Sequence, residues 1–411
     1  MLRQIICLAI IFFLAEASVH KFLAKPYRLE GEAAAIRHNA IRNRRLESVP
    51  ENLRNFESLS KLSPKLALNR TMDSEWIYTA NVTIGTPAQT YLMEIDMWYA
   101  QDLCIIGSSA NLSRVDPDLP PKHTYDPSSS STYVDKNGNF TDYPCGKGIN
   151  GSDQIKVDDV SANVVMGVIT DKIGYYLRYY PVDGVLGLNP TAPYTNADNL
   201  VSQLVGTMDN PIMSWWQNMS RYNEGIAQLT LGGEDTDNCQ SNYVYAPQQH
   251  RNGTYGDYGV HIASAQIDGV SDNEVSLNTT TSLWPDQGRI YCSYDFFYVL
   301  TNASNAVFNE TSDEWEVDCD LSKTKNIILN IGGSGDKADG TTKQLILTGA
   351  DYIYHWQYDN TCVVYAYPSE YAQVLELSSR FVNNHCVAYN AKEKTVGFAD
   401  VKVKNNDPKT Y

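Results

Sequence analysis

Asn81-Val-Thr-Ile84-Gly85-Thr86-Pro87-Ala-Gln89-Thr-Tyr91-Leu-Met93-Glu94-Ile-Asp96-Met97-Trp98 decides the fold. Apolar and β-branched residues on either side of a Gly-Thr-Pro turn predict two strands joined tightly. The second strand ends at a single carboxylate, Asp96, followed by Met97 and Trp98.

Around that stretch, 411 residues with 43% hydrophobic content suffice for a large core and more than one lobe. A net charge of −16 and a pI of about 4.8 argue against a nucleic-acid partner. At the start, Arg3 precedes an apolar run from Ile5 to Ala15, then Ala15-Glu16-Ala17. That is the pattern of a signal peptide over residues 1–17, too short to cross a bilayer, and no later run is long enough. The expectation is a secreted chain with no membrane span. Residues 18–70 carry eleven Lys/Arg against five Glu, net +6, whereas residues 71–411 carry −22. Within the basic segment, Ala33 to Leu46 reads as helix. Ten Asn-x-Ser/Thr acceptors support export to a glycosylating compartment: Asn69, Asn81, Asn111, Asn139, Asn150, Asn218, Asn252, Asn278, Asn302 and Asn309. Asn81 falls in a predicted strand, which argues against its use.

Beyond residue 71 the pattern is of strands and turns. It contains Tyr125-Asp-Pro-Ser-Ser-Ser-Ser-Thr-Tyr133, Asp142-Tyr143-Pro-Cys145-Gly146 and Val182-Asp183-Gly-Val-Leu-Gly-Leu188. Further on come Leu283-Trp-Pro-Asp286-Gln287-Gly288-Arg289, Leu377-Ser378-Ser379 and Val387-Ala-Tyr389 leading to Val396-Gly-Phe-Ala399. Together with the Gly-Thr-Pro stretch, these resemble the pepsin-like aspartic proteases from about Trp76 to Ala399. The resemblance implies an all-β, bilobal pepsin-like fold with a cleft between two β-barrel-like lobes, residues 71–245 and 246–411. It implies Asp96 and Asp286 as the catalytic pair and Tyr143 as the substrate-binding Tyr of a flap hairpin. It also makes the basic residues 18–70 resemble the prosegment of a zymogen, neutralising an acidic cleft.

The departures from the family pattern gather at the catalytic loops. An aspartic protease needs two carboxylates sharing one proton, one acting as base on a water and the other as acid. The family holds them on Asp-Thr-Gly turns, where Gly permits close approach of the loops and the Thr hydroxyl ties one loop to the other. This chain has Met97-Trp98 after Asp96 and Gln287 after Asp286. Arg289 would favour an ionised Asp286 if it faced it. The reading is therefore a pseudo-protease that binds a peptide or protein ligand in its cleft. The alternative is an active acid endopeptidase using Asp96 and Asp286; a structural or nutritive glycoprotein is a third class.

Cysteine content fits an oxidising compartment. Cys7 leaves with the signal peptide, and by resemblance Cys319 pairs with Cys362. Cys239 and Cys386 lie in segments that could be neighbouring strands, a second bridge. Cys104 and Cys145 fall on neighbouring parts of the family's fold, so one expectation is a Cys104–Cys145 bridge pinning the flap. Two buried thiols, or pairing of either with Cys292, is the other; an odd count leaves one Cys unpaired or intermolecular. No Cys-x-x-Cys, His cluster, phosphate loop or dinucleotide fingerprint is present, so no metal or cofactor is expected.

Overall fold

The computed structural model describes residues 19–28, 76–97, 103–142, 145–157, 160–190, 198–218, 226–249, 258–284, 288–356, 360–369 and 374–403. The signal-peptide segment, the predicted helix at 33–46, Trp98, Tyr143, Asp286 and the acceptors Asn69 and Asn252 lie outside the described residues.

The first lobe is built from β1 (His20–Arg28), β2 (Trp76–Ile84), β3 (Gln89–Asp96), β4 (Leu103–Ile106), β5 (Val134–Asp142), β6 (Gly146–Val157), β7 (Val160–Ile173) and β8 (Gly184–Gly187). Helix α1 (Tyr175–Tyr179) precedes β8, and α2 (Leu200–Val205) follows it. Next come β9 (Ile212–Asn218), β10 (Ile226–Leu231) and β11 (Val244–Pro247). The second lobe comprises β12 (His261–Ile267), β13 (Val275–Leu283), β14 (Ile290–Cys292), α3 (Tyr294–Ser304), β15 (Val307–Asn309), β16 (Glu314–Val317), β17 (Ile327–Ile331) and β18 (Lys343–Leu347). It continues through α4 (Gly349–Tyr352), β19 (Ile353–Trp356), β20 (Thr361–Val364), β21 (Ala366–Pro368), β22 (Val374–Leu377) and α5 (Ser379–Asn384). The closing strands are β23 (His385–Asn390) and β24 (Thr395–Asp400).

Thirteen strands form one sheet in the order β11-β24-β23-β9-β10-β1-β2-β3-β8-β4-β7-β6-β5, and β2 also meets β6, which closes the first lobe on itself. The second lobe has a seven-stranded sheet, β18-β17-β12-β13-β22-β14-β21, and a four-stranded one, β15-β16-β20-β19. This is the bilobal pepsin-like architecture. The last two strands, although they follow the second lobe in sequence, return to pair with β9 and β11 in the large sheet.

The basic segment contributes more to this sheet than a solvated arm would. β1 pairs with β10 from His20 to Ala24 and with β2 from Lys25 to Arg28, joining the two halves of the sheet. Phe22 and Ala24 are buried on the inner face, as strand alternation requires, and the Lys21 ammonium donates to Asp237.

The Gly-Thr-Pro turn is held by the Tyr125–Tyr133 stretch. Gly85 has φ +85°, a left-handed conformation that costs a side-chain-bearing residue dearly, and a Cβ there would lie 2.9 Å from Ser130 Oγ. Thr86 N donates to Ser130 Oγ at 3.0 Å. Beneath them the buried Asp153 carboxylate accepts from Tyr125 Oη and Thr132 Oγ1, each at 2.5 Å. Asp126 caps the short turn of Pro127–Ser129 by accepting from Ser128 N, and its hydrogen bonds, chiefly from the Ser128 hydroxyl, hold its carboxyl below the usual range.

Candidate functional site

Asp96 is the last residue of β3. That strand runs parallel to β8, with Ile95 opposite Leu186 and Asp96 opposite Gly187. Leu188 N then donates to the Asp96 carbonyl at 2.7 Å. Asp183 explains why the Asp-Gly-Val-Leu-Gly motif is readable: its carboxylate accepts from Leu92 N at 2.9 Å and His123 N at 2.7 Å, fixing β8 against β3. It is a structural carboxylate. Gly184 is required by close approach, since a Cβ there would lie 2.2 Å from the Cys104 carbonyl oxygen.

The Asp96 residue is 4% exposed. Strand alternation places Glu94, 1% exposed, on the same face of β3. Two buried carboxylates thus share one strand face; the period-2 pattern Leu92-x-Glu94-x-Asp96 carried that signal, and the motif reading passed over it. Met97, 5% exposed, packs in the core, as Tyr258, Leu283 and Trp284 do. The Tyr258 hydroxyl, from the start of the second lobe, donates to the Leu188 carbonyl and lies 3.9 Å from Met97 Sδ. A phenol from one lobe therefore ties down the loop of the other where a Thr hydroxyl is absent.

The second lobe repeats the strand pattern of the first. β13 runs parallel to β22, and β14 lies antiparallel to β22 and parallel to β21. In the first lobe the same roles fall to β3, β8, β4 and β7. Leu283 sits opposite Leu377, and Trp284 N donates to the Leu377 carbonyl at 2.8 Å. The Trp284 side chain is 2% exposed, and its Nε1 donates to Ser282 Oγ at 3.0 Å. The Arg289 guanidinium lies over the Tyr365 ring at 4.6 Å, with Glu314 Oε1 3.8 Å away.

The tip of the β5–β6 hairpin lies between Asp142 and Gly146, which pair with each other. Cys145, just after the tip, forms a disulfide with Cys104 of β4, and both residues are fully buried. The Cys145 carbonyl accepts from Gly174 N at 2.6 Å, and Gly146 pairs with Ile173. Phe140, Ile169, Ile173, Tyr176, Leu177 and Tyr180 pack around the bridge. Tyr176 and Tyr180 stack with centroids 4.9 Å apart, and Lys122 Nζ donates to the Tyr180 and Val182 carbonyls behind them. Burial there pulls the Lys122 ammonium down to about 8, with Asp183 pulling the other way.

Two further disulfides, Cys239–Cys386 and Cys319–Cys362, hold the closing strands and the small sheet of the second lobe. Cys292 is a buried thiol with no disulfide partner, and its burial leaves no surface from which to reach a second chain. Desolvation, and then the nearby Glu376 charge, push that thiol up, so it stays protonated and unreactive. It lines a cavity of about 310 Å³ with Leu277, Phe296, Val374 and Leu375, in the second lobe and apart from Asp96. Among the described residues no group of three or more His, Cys, Asp or Glu is placed to hold a metal ion, and no helix is long and apolar enough to cross a membrane.

Comparison with known proteins agrees with the two-lobed geometry. The family model of the eukaryotic aspartyl protease matches residues 77–401. Aspartic protease 17 of Caenorhabditis elegans is 23% identical over 355 residues, covering 80% of this chain and 83% of that protein. Renin of Ovis aries is 25% identical over 373 residues, 83% of each. Rhizopuspepsin-3 of Rhizopus niveus is 24% identical over 275 residues, 62% of this chain and 64% of its own. With matched residues running from β2 to the end of β24, through both lobes and both parallel strand pairs, the chain belongs to the eukaryotic aspartyl proteases.

Proposed function

We propose that the protein is an exported, glycosylated member of this family whose cleft holds a peptide or protein segment without hydrolysing it. The observation that carries this reading is the fixed hairpin. A protease flap must lift for substrate and close over it. Here the residue after the tip is bonded to β4 through Cys104–Cys145 and to Gly174 through its carbonyl, inside an aromatic cluster. Met97, packed in the core directly after the strand-end Asp96, points the same way.

Export is supported by the pattern of residues 1–17 and by the acceptor asparagines. Asn81, Asn111, Asn139, Asn218, Asn278 and Asn302 are exposed, and Asn150 and Asn309 are partly so. Asn81 lies in β2 yet faces solvent, so its strand position is no obstacle to modification. Residues 18–70 act as a zymogen-type segment whose first strand, β1, is part of the sheet. A cut anywhere between residues 29 and 75 would leave that strand in place. The second reading, an acid endopeptidase using Asp96 and Asp286, has in its favour the position of Asp96 at the end of β3 opposite Gly187.

Incubation of the chain, intact and cut after Arg70, with denatured globin at acid pH separates the two. Mass spectrometry is expected to find the globin whole in both samples. Globin fragments whose formation stops with Asp96→Asn would overturn the pseudo-protease reading.

A further inference from the structure

We infer that Trp284, rather than Asp286, stands at the second-lobe position that mirrors Asp96. The inference deepens the reading above, because it names what has replaced the second carboxylate.

The two lobes share one strand register. In the first lobe, Ile95 opposes Leu186 of the crossing strand, and the next residue on β3 is Asp96. In the second lobe, Leu283 opposes Leu377 of the crossing strand, and the next residue is Trp284, still hydrogen-bonded to it through Leu377 O. Both crossing strands then pair antiparallel with the returning strand one residue earlier: Val185 with Cys104, and Glu376 with Tyr291. Chain length between those points is an independent check. Cys104 follows Asp96 by eight residues, and Tyr291 follows Trp284 by seven but Asp286 by only five. Counted along the chain, Asp286, two residues beyond Trp284, therefore comes too late to match the spacing that the first lobe shows.

The side chains repeat the correspondence. Glu94 and Asp96 share a face of β3 at positions two apart, and Ser282 of β13 stands two residues before Trp284, which directly follows that strand. The indole is fixed there by its bond to Ser282 Oγ. Ser378, fully buried, takes the place opposite the strand end that Gly187 holds in the first lobe. An indole carries no proton that could be shared with Asp96 as a twin carboxylate shares one. On this register, the second-lobe residue that mirrors Asp96 is an indole and not a second carboxylate.

Disulfide trapping in the full chain reads that geometry without reference to activity. With Cys292→Ser in the background, Asp96→Cys is combined with either Trp284→Cys or Asp286→Cys. Each chain is then mapped without reduction after the three native disulfides have been verified. A 96–284 bridge and no 96–286 bridge is the expected result. A 96–286 bridge overturns the inference, as does the absence of both in a chain with its native disulfides intact. If Trp284→Cys does not fold, the indole N–H resonance of Trp284 in the otherwise native chain replaces it. That resonance should shift with Asp96→Asn and stay put with Asp286→Asn; the reverse pattern overturns the assignment. Since neither measurement depends on hydrolysis, an active enzyme and a different register give distinguishable failures.

Discussion

Replacing Cys104 and Cys145 together by serine should lower stability by about 4 kcal/mol, the loop-closure entropy of a bridge over their sequence separation of 41 residues. The loss should be local first. Amide exchange in β5 and β6 should quicken around the tip, because the Gly174–Cys145 hydrogen bond and the Gly146–Ile173 pairing then carry the restraint alone. Peptidase activity should not appear, since a freed hairpin does nothing for a catalytic loop that reads Asp96-Met97. A urea midpoint equal to that of the parent, with unchanged exchange at the tip, would mean that the bridge restrains nothing.

Gly184→Ala is expected to cost about 3 kcal/mol or more, although it adds one methyl group. The new carbon would lie 2.2 Å from the Cys104 carbonyl oxygen and 2.7 Å from Met93 Cε, so the main chain of β4 must move. Because Cys104 is that residue, β8, β4 and the hairpin bridge would shift together. Gly340→Ala is the control, with nothing within 4 Å of its added carbon. Urea unfolding of the pair should show a large fall for the first and almost none for the second. Equal midpoints would sink the claim that β8 and β4 need this glycine for their approach.

What could be read in the sequence had short-range reasons to be readable. Asp183-Gly184 is a motif because one carboxylate must reach the main chain at Leu92 and His123 and one α-carbon must lack a side chain. Tyr125–Tyr133 is a motif because Ser130, Thr132 and Tyr125 must meet Gly85, Thr86 and Asp153. These constraints name residue types, and residue types survive in a string of letters. The second lobe's strand end offered no such help. Its frame depends on Leu283 lying opposite Leu377, a pairing between distant segments that spacing cannot supply. Asp286-Gln-Gly288 keeps the Asp and the Gly of the family loop, whereas the ladder pairs Leu283 with Leu377 and sets Trp284 next to it. β1 is obscured for another reason: its charges, Lys21, Lys25 and Arg28, mark it as part of a basic prosegment-like stretch, while Phe22 and Ala24 on alternate positions carry the strand signal. Tyr258 could not have been found, because its hydroxyl acts on a carbonyl of the other lobe.

The central claim is a pepsin fold without a working pair of aspartates. It is tested most directly by calorimetric titration of the native chain, intact and cut after Arg70, with a pepstatin-type inhibitor at acid pH. Such an inhibitor places a hydroxyl between two carboxylates that share a proton, so it reports their geometry whatever the substrate. No saturable binding is expected in either form. Tight, stoichiometric binding that is lost with both Asp96→Asn and Asp286→Asn would contradict it.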